Sequence, residues 1–214
     1  MAAATPLFFA CDTMTHASRF PLVRPLIGLV VTLLLAGCGT DLQLPPANIP
    51  IAQQQITLYA LTGTPVFTAS AYDMLTLTEV RLDKSNSFDF AVDIRFDSAY
   101  GVGKHNDTVV VLIPRGALGF AQDPGLLFVP SFNFDSITVA PTTGYTKDRA
   151  VSVHEGDVLV AASRITTCNF GYTLPHYAKL QIQQIDLTNL KVTIGVVIEP
   201  NCGYRQFGSG IPDF

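Results

Sequence analysis

The sequence predicts an all-β fold, a single antiparallel β-sandwich or barrel-like domain, and three observations carry that expectation. Val, Ile, Thr, Phe and Tyr are abundant after Cys38, and they suit pleated, half-buried surfaces. The acidic residues in that stretch are thirteen Asp and three Glu; Asp favours turns and caps, whereas Glu is a helix former. Finally, apolar residues recur at period two in short runs separated by Gly, Pro, Asn and Asp, a hairpin pattern rather than a helical one.

The N-terminal segment is a different kind of sequence. Arg19 and Arg24 precede a charge-free run, PLIGLVVTLLLAG, that ends at Cys38. Its apolar core is about a dozen residues, short of the ~20 that cross a bilayer as a helix. A basic region, a short apolar region and small residues at its end make a secretory signal. Met14 gives a more ordinary signal length than Met1, so translation is expected to begin there, leaving Cys11 outside the mature protein. Leu35-Ala36-Gly37-Cys38 resembles the lipobox of bacterial lipoproteins. The resemblance implies that residues 1–37 are removed and that Cys38 becomes an acylated N-terminus carrying palmitate-type chains. Each buried CH₂ then contributes ~0.8 kcal/mol of membrane affinity, and several chains hold far better than one. Gly39 stands where many inner-membrane lipoproteins have aspartate, so the resemblance points to the outer membrane and a domain facing the periplasm or the exterior.

Removal of the signal takes Arg19, Arg24 and Asp12 with it and leaves 11 basic against 16 acidic residues. No long basic cluster remains, which argues against a nucleic-acid partner. Residues 38–53 read as a lipidated N-terminus and flexible tether, because GTDLQLPPANIP has prolines and no periodicity. Residues 54–214 are the expected β domain, large enough for a real core.

Within it, QQITLYAL is the expected first strand. LTLTEVRL and FDFAVDIRF are expected to pair as a hairpin around DKSNS. In the second run Phe88, Phe90, Val92, Ile94 and Phe96 share one face, leaving Asp89, Asp93 and Arg95 on a solvated one. SAYGVGKHND is an expected loop, and TVVVLIP a strand buried on both sides. RGALGFAQDPGLLFVPS is expected to be a long connection with at most one helical turn. FNFDSITVAP suggests a further strand and PTTGYTKDR a loop. AVSVHEGDVLVAAS predicts a tight hairpin, with Val151 and Val153 opposite Val158 and Val160. AKLQIQQI and LKVTIGVVI predict a longer one around DLTN.

That last hairpin leaves Cys168 and Cys202 just beyond its open end. In an oxidising compartment an even pair outside any CxxC motif predicts a disulfide, here stapling CNFGYTLPH to NCGYRQFG. Phe170, Tyr172, Tyr177 and Tyr204 surround the pair in sequence. They are candidate binding-surface residues, or packing that closes the end of the domain.

Chemistry is harder to find. His105, His154 and His176 are weak metal-ligand candidates. HEGDV lacks the second histidine of a zinc-protease motif, and FGSGI lacks the spacing of a serine-hydrolase elbow. Asp89 and Asp93 form a conceivable carboxylate pair, but solvated strand faces commonly look like this. No phosphate loop or dinucleotide fingerprint is present, so no catalytic residue is assigned. EGDVLVAAS, YAKLQIQQID and the strand ending in IEPN resemble the C-terminal part of the HmuY-like haem-binding lipoproteins. The resemblance covers about a quarter of the chain and implies a secreted β fold. That family grips haem iron with two histidines, and none of His105, His154 and His176 aligns to them, so the fold carries over and haem does not. The expected function is a binding or structural module of the envelope without a cofactor. Its rivals are a small-ligand carrier, such as a haem binder, and a hydrolase whose site is assembled only in space.

Overall fold

The computed structural model describes residues 44–96, 108–120, 124–130, 133–168 and 171–212. The expected signal, Cys38 and the 98–107 loop lie outside these residues. Among the described residues no helix is long and apolar enough to cross a membrane.

The first sheet is built from β1 (Ala52–Tyr59), β6 (Gly125–Phe128), β8 (Val158–Ala162), β11 (Tyr177–Asp186) and β12 (Lys191–Glu199), in the order β1-β12-β11-β8-β6. The second holds β2 (Ala71–Asp73), β3 (Thr78–Val80), β4 (Phe90–Phe96), β5 (Thr108–Pro114) and β7 (Val151–Val153), in the order β3-β2-β4-β5-β7. A two-stranded ribbon, β9 (Thr166–Thr167) with β10 (Thr173–Leu174), stands apart. All pairings are antiparallel. The fold is therefore the all-β sandwich that the composition and periodicity predict.

Period-two side chains from the inner faces of both sheets make the core. Ile56 and Leu58 of β1, Phe90, Val92 and Ile94 of β4, Leu180 and Ile182 of β11, and Ile194, Val196 and Ile198 of β12 are all buried in it. β5 and β8 are buried on both sides, because the outer faces are covered too. Outside the first sheet, Ile137, Ala140 and Phe207 pack on Val158, Val160 and Val197. Lys179 is trapped on that face, its ammonium donating to the carbonyls of Phe134 and Ile137 at 3.0 and 3.3 Å and lying over the Phe134 ring. Burial lowers its pKa.

The β11–β12 hairpin forms as expected, with Asp186 opposite Lys191 and a bulge between Ile182 and Gln184. Gly195 makes that bulge possible. A side chain there would collide with Gln183, which crosses β12 to accept a hydrogen bond from Gln55 of β1.

Several expected pairings are replaced. Leu75–Leu82 is not one strand: Met74–Leu77 is a turn, with Leu77 at φ 58°, and the hairpin joins β2 to β3. β4 pairs with β2 rather than with the 75–82 run. Phe88 lies before β4 and packs with Ala71, Val80 and Ala91 on the outer side of the second sheet, not with Phe90. Residues 151–162 are not a hairpin. β7 joins β5 and β8 joins β11 and β6, so the chain crosses between sheets at His154–Asp157. The long connection after β5 does hold a short 3-10 helix, Arg115–Leu118, but also the edge strand β6. Of FNFDSITVAP, the described residues form a 3-10 turn at Phe134–Ser136, capped by Asn133, and a single bridge from Val139 to Gln206 rather than a strand.

Of the three residues expected on the solvated face, Arg95 is exposed but the two aspartates are not. Asp89 and Asp93 are 2% and 4% exposed. Asp93 accepts the amide of Thr62 at 2.9 Å and the Arg95 guanidinium at 3.0 Å. A buried carboxylate needs such partners; Arg95 is supplied by β4 itself, but Thr62 comes from a loop that the local pattern does not contain.

Candidate functional site

The Cys168–Cys202 disulfide joins the β9–β10 ribbon to the segment after β12, with Cα atoms 5.9 Å apart. It stands at the end of the sandwich where β11 begins and β12 finishes, Tyr177 being opposite Glu199. Two glycines allow this junction. Gly171, at φ 81°, turns the chain between β9 and β10, where the Cys168 amide donates to the Tyr172 carbonyl at 2.7 Å. Gly203, at φ 81°, lies so close under Leu174 that a Cβ would meet its Cδ1 at 2.6 Å.

Beside the disulfide is a half-open cleft of about 320 Å³. One wall is the ribbon, with Thr166, Thr167, Tyr172 and Leu174; the other is the entering segment Leu44–Ile49, and Leu75, His176, Asn201 and Tyr204 also line the cleft. Among the described residues, none that lines the cleft is an acid, a lysine or an arginine. Burial holds the His176 pKa below that of a free imidazole, so the ring is neutral at physiological pH.

The entering segment is fastened: within the stretch expected to be a flexible tether, residues from Leu44 lie on the domain and β1 starts at Ala52. Asn201 Oδ1 accepts the amides of Asn48 and Ile49 at 3.0 and 3.1 Å, while its Nδ2 donates to the Ile49 carbonyl at 2.7 Å. The Tyr204 hydroxyl donates to the Pro45 carbonyl at 2.9 Å. Behind Asn201 sits Glu199, fully buried, with Oε1 accepting both the Asn201 amide and its side-chain Nδ2. Glu199 Oε2 has no hydrogen-bond partner among the described residues, and burial raises the carboxyl pKa.

Close by, the two sheets are clamped together by charge. Arg164, just after β8, donates from Nη2 to both carboxylate oxygens of Asp73 at 2.9 Å. Its Nη1 and backbone amide reach Asp89 at 3.2 and 2.7 Å. Burial opposes ionisation of both acids. At Asp73 the guanidinium and the Leu75 amide outweigh it and hold the pKa low. At Asp89 burial prevails and the pKa is raised, with the Asp73 charge adding to it. Leu75, whose amide Asp73 accepts at 2.9 Å, carries this rigidity to the cleft wall.

The sequence candidates divide accordingly. Tyr172, Tyr204 and His176 meet in the cleft. Tyr204 is 3% exposed and acts as packing. Tyr177 turns to the covered outer face, with its ring 6.2 Å from that of Tyr145. Phe170 and His105 lie outside the described residues. His154, at the β7–β8 crossing, belongs to the other end of the sandwich, because the adjacent Gly156 bonds to Ile182 while His176 adjoins Tyr177. Two histidines that could clasp a haem iron are therefore not brought together among the described residues, nor is any group of three metal-ligating side chains.

Ser163 and His176 are neighbours, but not as nucleophile and base. The Ser163 hydroxyl accepts the His176 backbone amide and donates to the Arg164 carbonyl, both at 2.8 Å. Sequence reasoning missed Arg164, Asp73, Asn201 and Glu199. One signal was present: Arg164 is the only charged residue between Asp157 and Lys179, in a stretch otherwise suited to burial.

Fold and site together define a disulfide-stapled antiparallel β-sandwich with an uncharged end cleft. No protein-family model matches the chain, and no curated protein matches it.

Proposed function

We propose that this chain is a lipid-anchored bacterial envelope protein whose β domain is a binding module, with the end cleft as its contact site. The observation that carries the binding reading is the cleft: uncharged, walled by a disulfide-held ribbon, and backed by a satisfied ion cluster. A preformed concave site with a few polar groups is what ligand recognition needs. Without a counter-charge in the lining, an ionic ligand would lose its hydration uncompensated. The ligand class is therefore neutral: an uncharged peptide segment or a glycan-like molecule with apolar faces and hydroxyls. The envelope address rests on the Leu35-Ala36-Gly37-Cys38 motif, and the outer membrane on Gly39.

Two measurements test this. Mass spectrometry of the mature N-terminus should find an acylated Cys38, and Cys38→Ser should leave the protein without acyl chains. An NMR titration with neutral oligosaccharides and uncharged peptides should perturb Thr167, Tyr172, Leu174 and His176. Perturbations that are absent, or that lie elsewhere on the domain, reject the cleft as the site.

A further inference from the structure

The end of the sandwich opposite the disulfide carries an apolar feature of its own. The β1–β2 loop crosses between sheets there, with Ala60 bonded to the Leu190 carbonyl and Leu61 to that of Val92. At its tip Val66 and Phe67 are 78% and 65% exposed, the two most exposed large apolar side chains among the described residues. Leu187, on the β11–β12 turn at the same end, is 51% exposed.

The tip is an ordered turn. The Pro65 carbonyl accepts the Thr68 amide at 3.0 Å and its hydroxyl at 2.7 Å. The Thr64 hydroxyl donates to the Ala60 carbonyl at 2.6 Å and lies 3.1 Å from that of Thr68. Pro65 itself has no N–H to satisfy. Thus several polar groups of the turn are paired internally, as a low-dielectric environment demands. The segment carries no charge of its own: no Asp, Glu, Lys or Arg occurs between Asp41 and Asp73, and the Asp93 that holds its Thr62 amide is paired with Arg95. The neighbouring Asp186 and Lys191 lie 3.8 Å apart as a pair.

We propose that Val66 and Phe67 insert into a lipid surface, giving the protein a membrane contact separate from any acyl chain and from the cleft. Size decides between a lipid and a protein partner. Two side chains offer about 300 Å², well short of the ~800 Å² per partner of a standard protein interface. Insertion into the boundary between headgroups and acyl chains needs no complementary surface, only apolar area held out on a turn. The uncharged loop favours neutral lipid, with affinity independent of salt.

The chain has no tryptophan, so Phe67→Trp makes the tip its own reporter. In the mature chain from residue 38 carrying Cys38→Ser, which lacks both acyl chains and the apolar run before them, protein-free vesicles of phosphatidylcholine and phosphatidylethanolamine should shift its emission to the blue. Brominated acyl chains should quench it, and added salt should not reverse the shift. Ile165→Trp, at the disulfide end, should show none of this. Val66→Ser with Phe67→Ser should weaken vesicle partition by about tenfold or more, given the apolar area removed. Both sites are exposed, so folding should survive. An unshifted Phe67→Trp spectrum overturns the proposal, as does partition unchanged by the double serine variant. A shift that requires an added envelope protein would instead assign the tip to a protein partner.

Discussion

Arg164 and Asp73 face each other across the sandwich, the guanidinium Nη2 2.9 Å from both carboxylate oxygens. The arginine follows a strand of one sheet and the aspartate ends a strand of the other. Removing one partner leaves buried charge unpaired, which is the strongly destabilising case. Arg164→Ala should therefore lower unfolding free energy by about 3–5 kcal/mol, read as a fall in urea midpoint with an unchanged slope. Replacing Asp73 and Asp89 by Asn in the same chain should recover part of the loss. A single variant as stable as the parent would contradict the clamp.

The same clamp has a pH signature. The Asp73 pKa is depressed on folding, so it contributes stability that is present above the unfolded aspartate value and lost as pH falls through the folded value. Asp73→Asn should consequently be most damaging at neutral pH and nearly neutral in strong acid. Denaturation midpoints measured across pH 2–7 check the sign.

Glu199 predicts the opposite. Burial raises its pKa, so the ionised form burdens the fold at neutral pH and the burden lifts as acid protonates it. Glu199→Gln should gain stability relative to the parent as pH rises through the folded pKa. That advantage should vanish below the unfolded glutamate value of about 4.3. A difference that does not vary with pH would show that folding leaves the carboxyl pKa where it is in the unfolded chain.

Opening the disulfide should loosen the cleft. The cysteines are separated by 34 positions, and closing a loop of that size contributes about 3–4 kcal/mol on the chain-entropy model. Cys168→Ser with Cys202→Ser should lower stability by that order. Amide exchange should accelerate over 166–176 while the β11–β12 hairpin stays protected.

Gly125 is a packing prediction. A Cβ there would sit 2.6 Å from that of Tyr145 and 3.3 Å from the Thr146 carbonyl, and Thr146 covers the outer edge of β6 through paired bonds with Leu126. Gly125→Ala should cost about 1–3 kcal/mol by overpacking, visible in thermal melts.

Sequence reading succeeded where the information is local. The β11–β12 hairpin combines sustained alternation with a turn of DLTN, and Asp186 bonds back to the amides of Thr188 and Asn189. The cysteine pairing follows from that register. The failures share a cause: a turn at His154–Asp157 looks the same whether the next strand pairs with the last or joins the other sheet. Asp89 and Asp93 look like solvated residues until Arg164 and Thr62 arrive from elsewhere in the chain to satisfy them.

Composition, alternation and turn chemistry by themselves determined the all-β class and the last hairpin, because each depends on residues near one another in the chain; the cysteine pairing follows from the register of that hairpin, and the expectation of an acylated Cys38 rests on the lipobox resemblance. Only the tertiary structure decided which sheet each strand joins, that Asp89 and Asp93 are buried, and that Leu44–Ile49 walls a cleft. Those outcomes depend on partners tens of residues away, whose charges and carbonyls meet only when the sheets close.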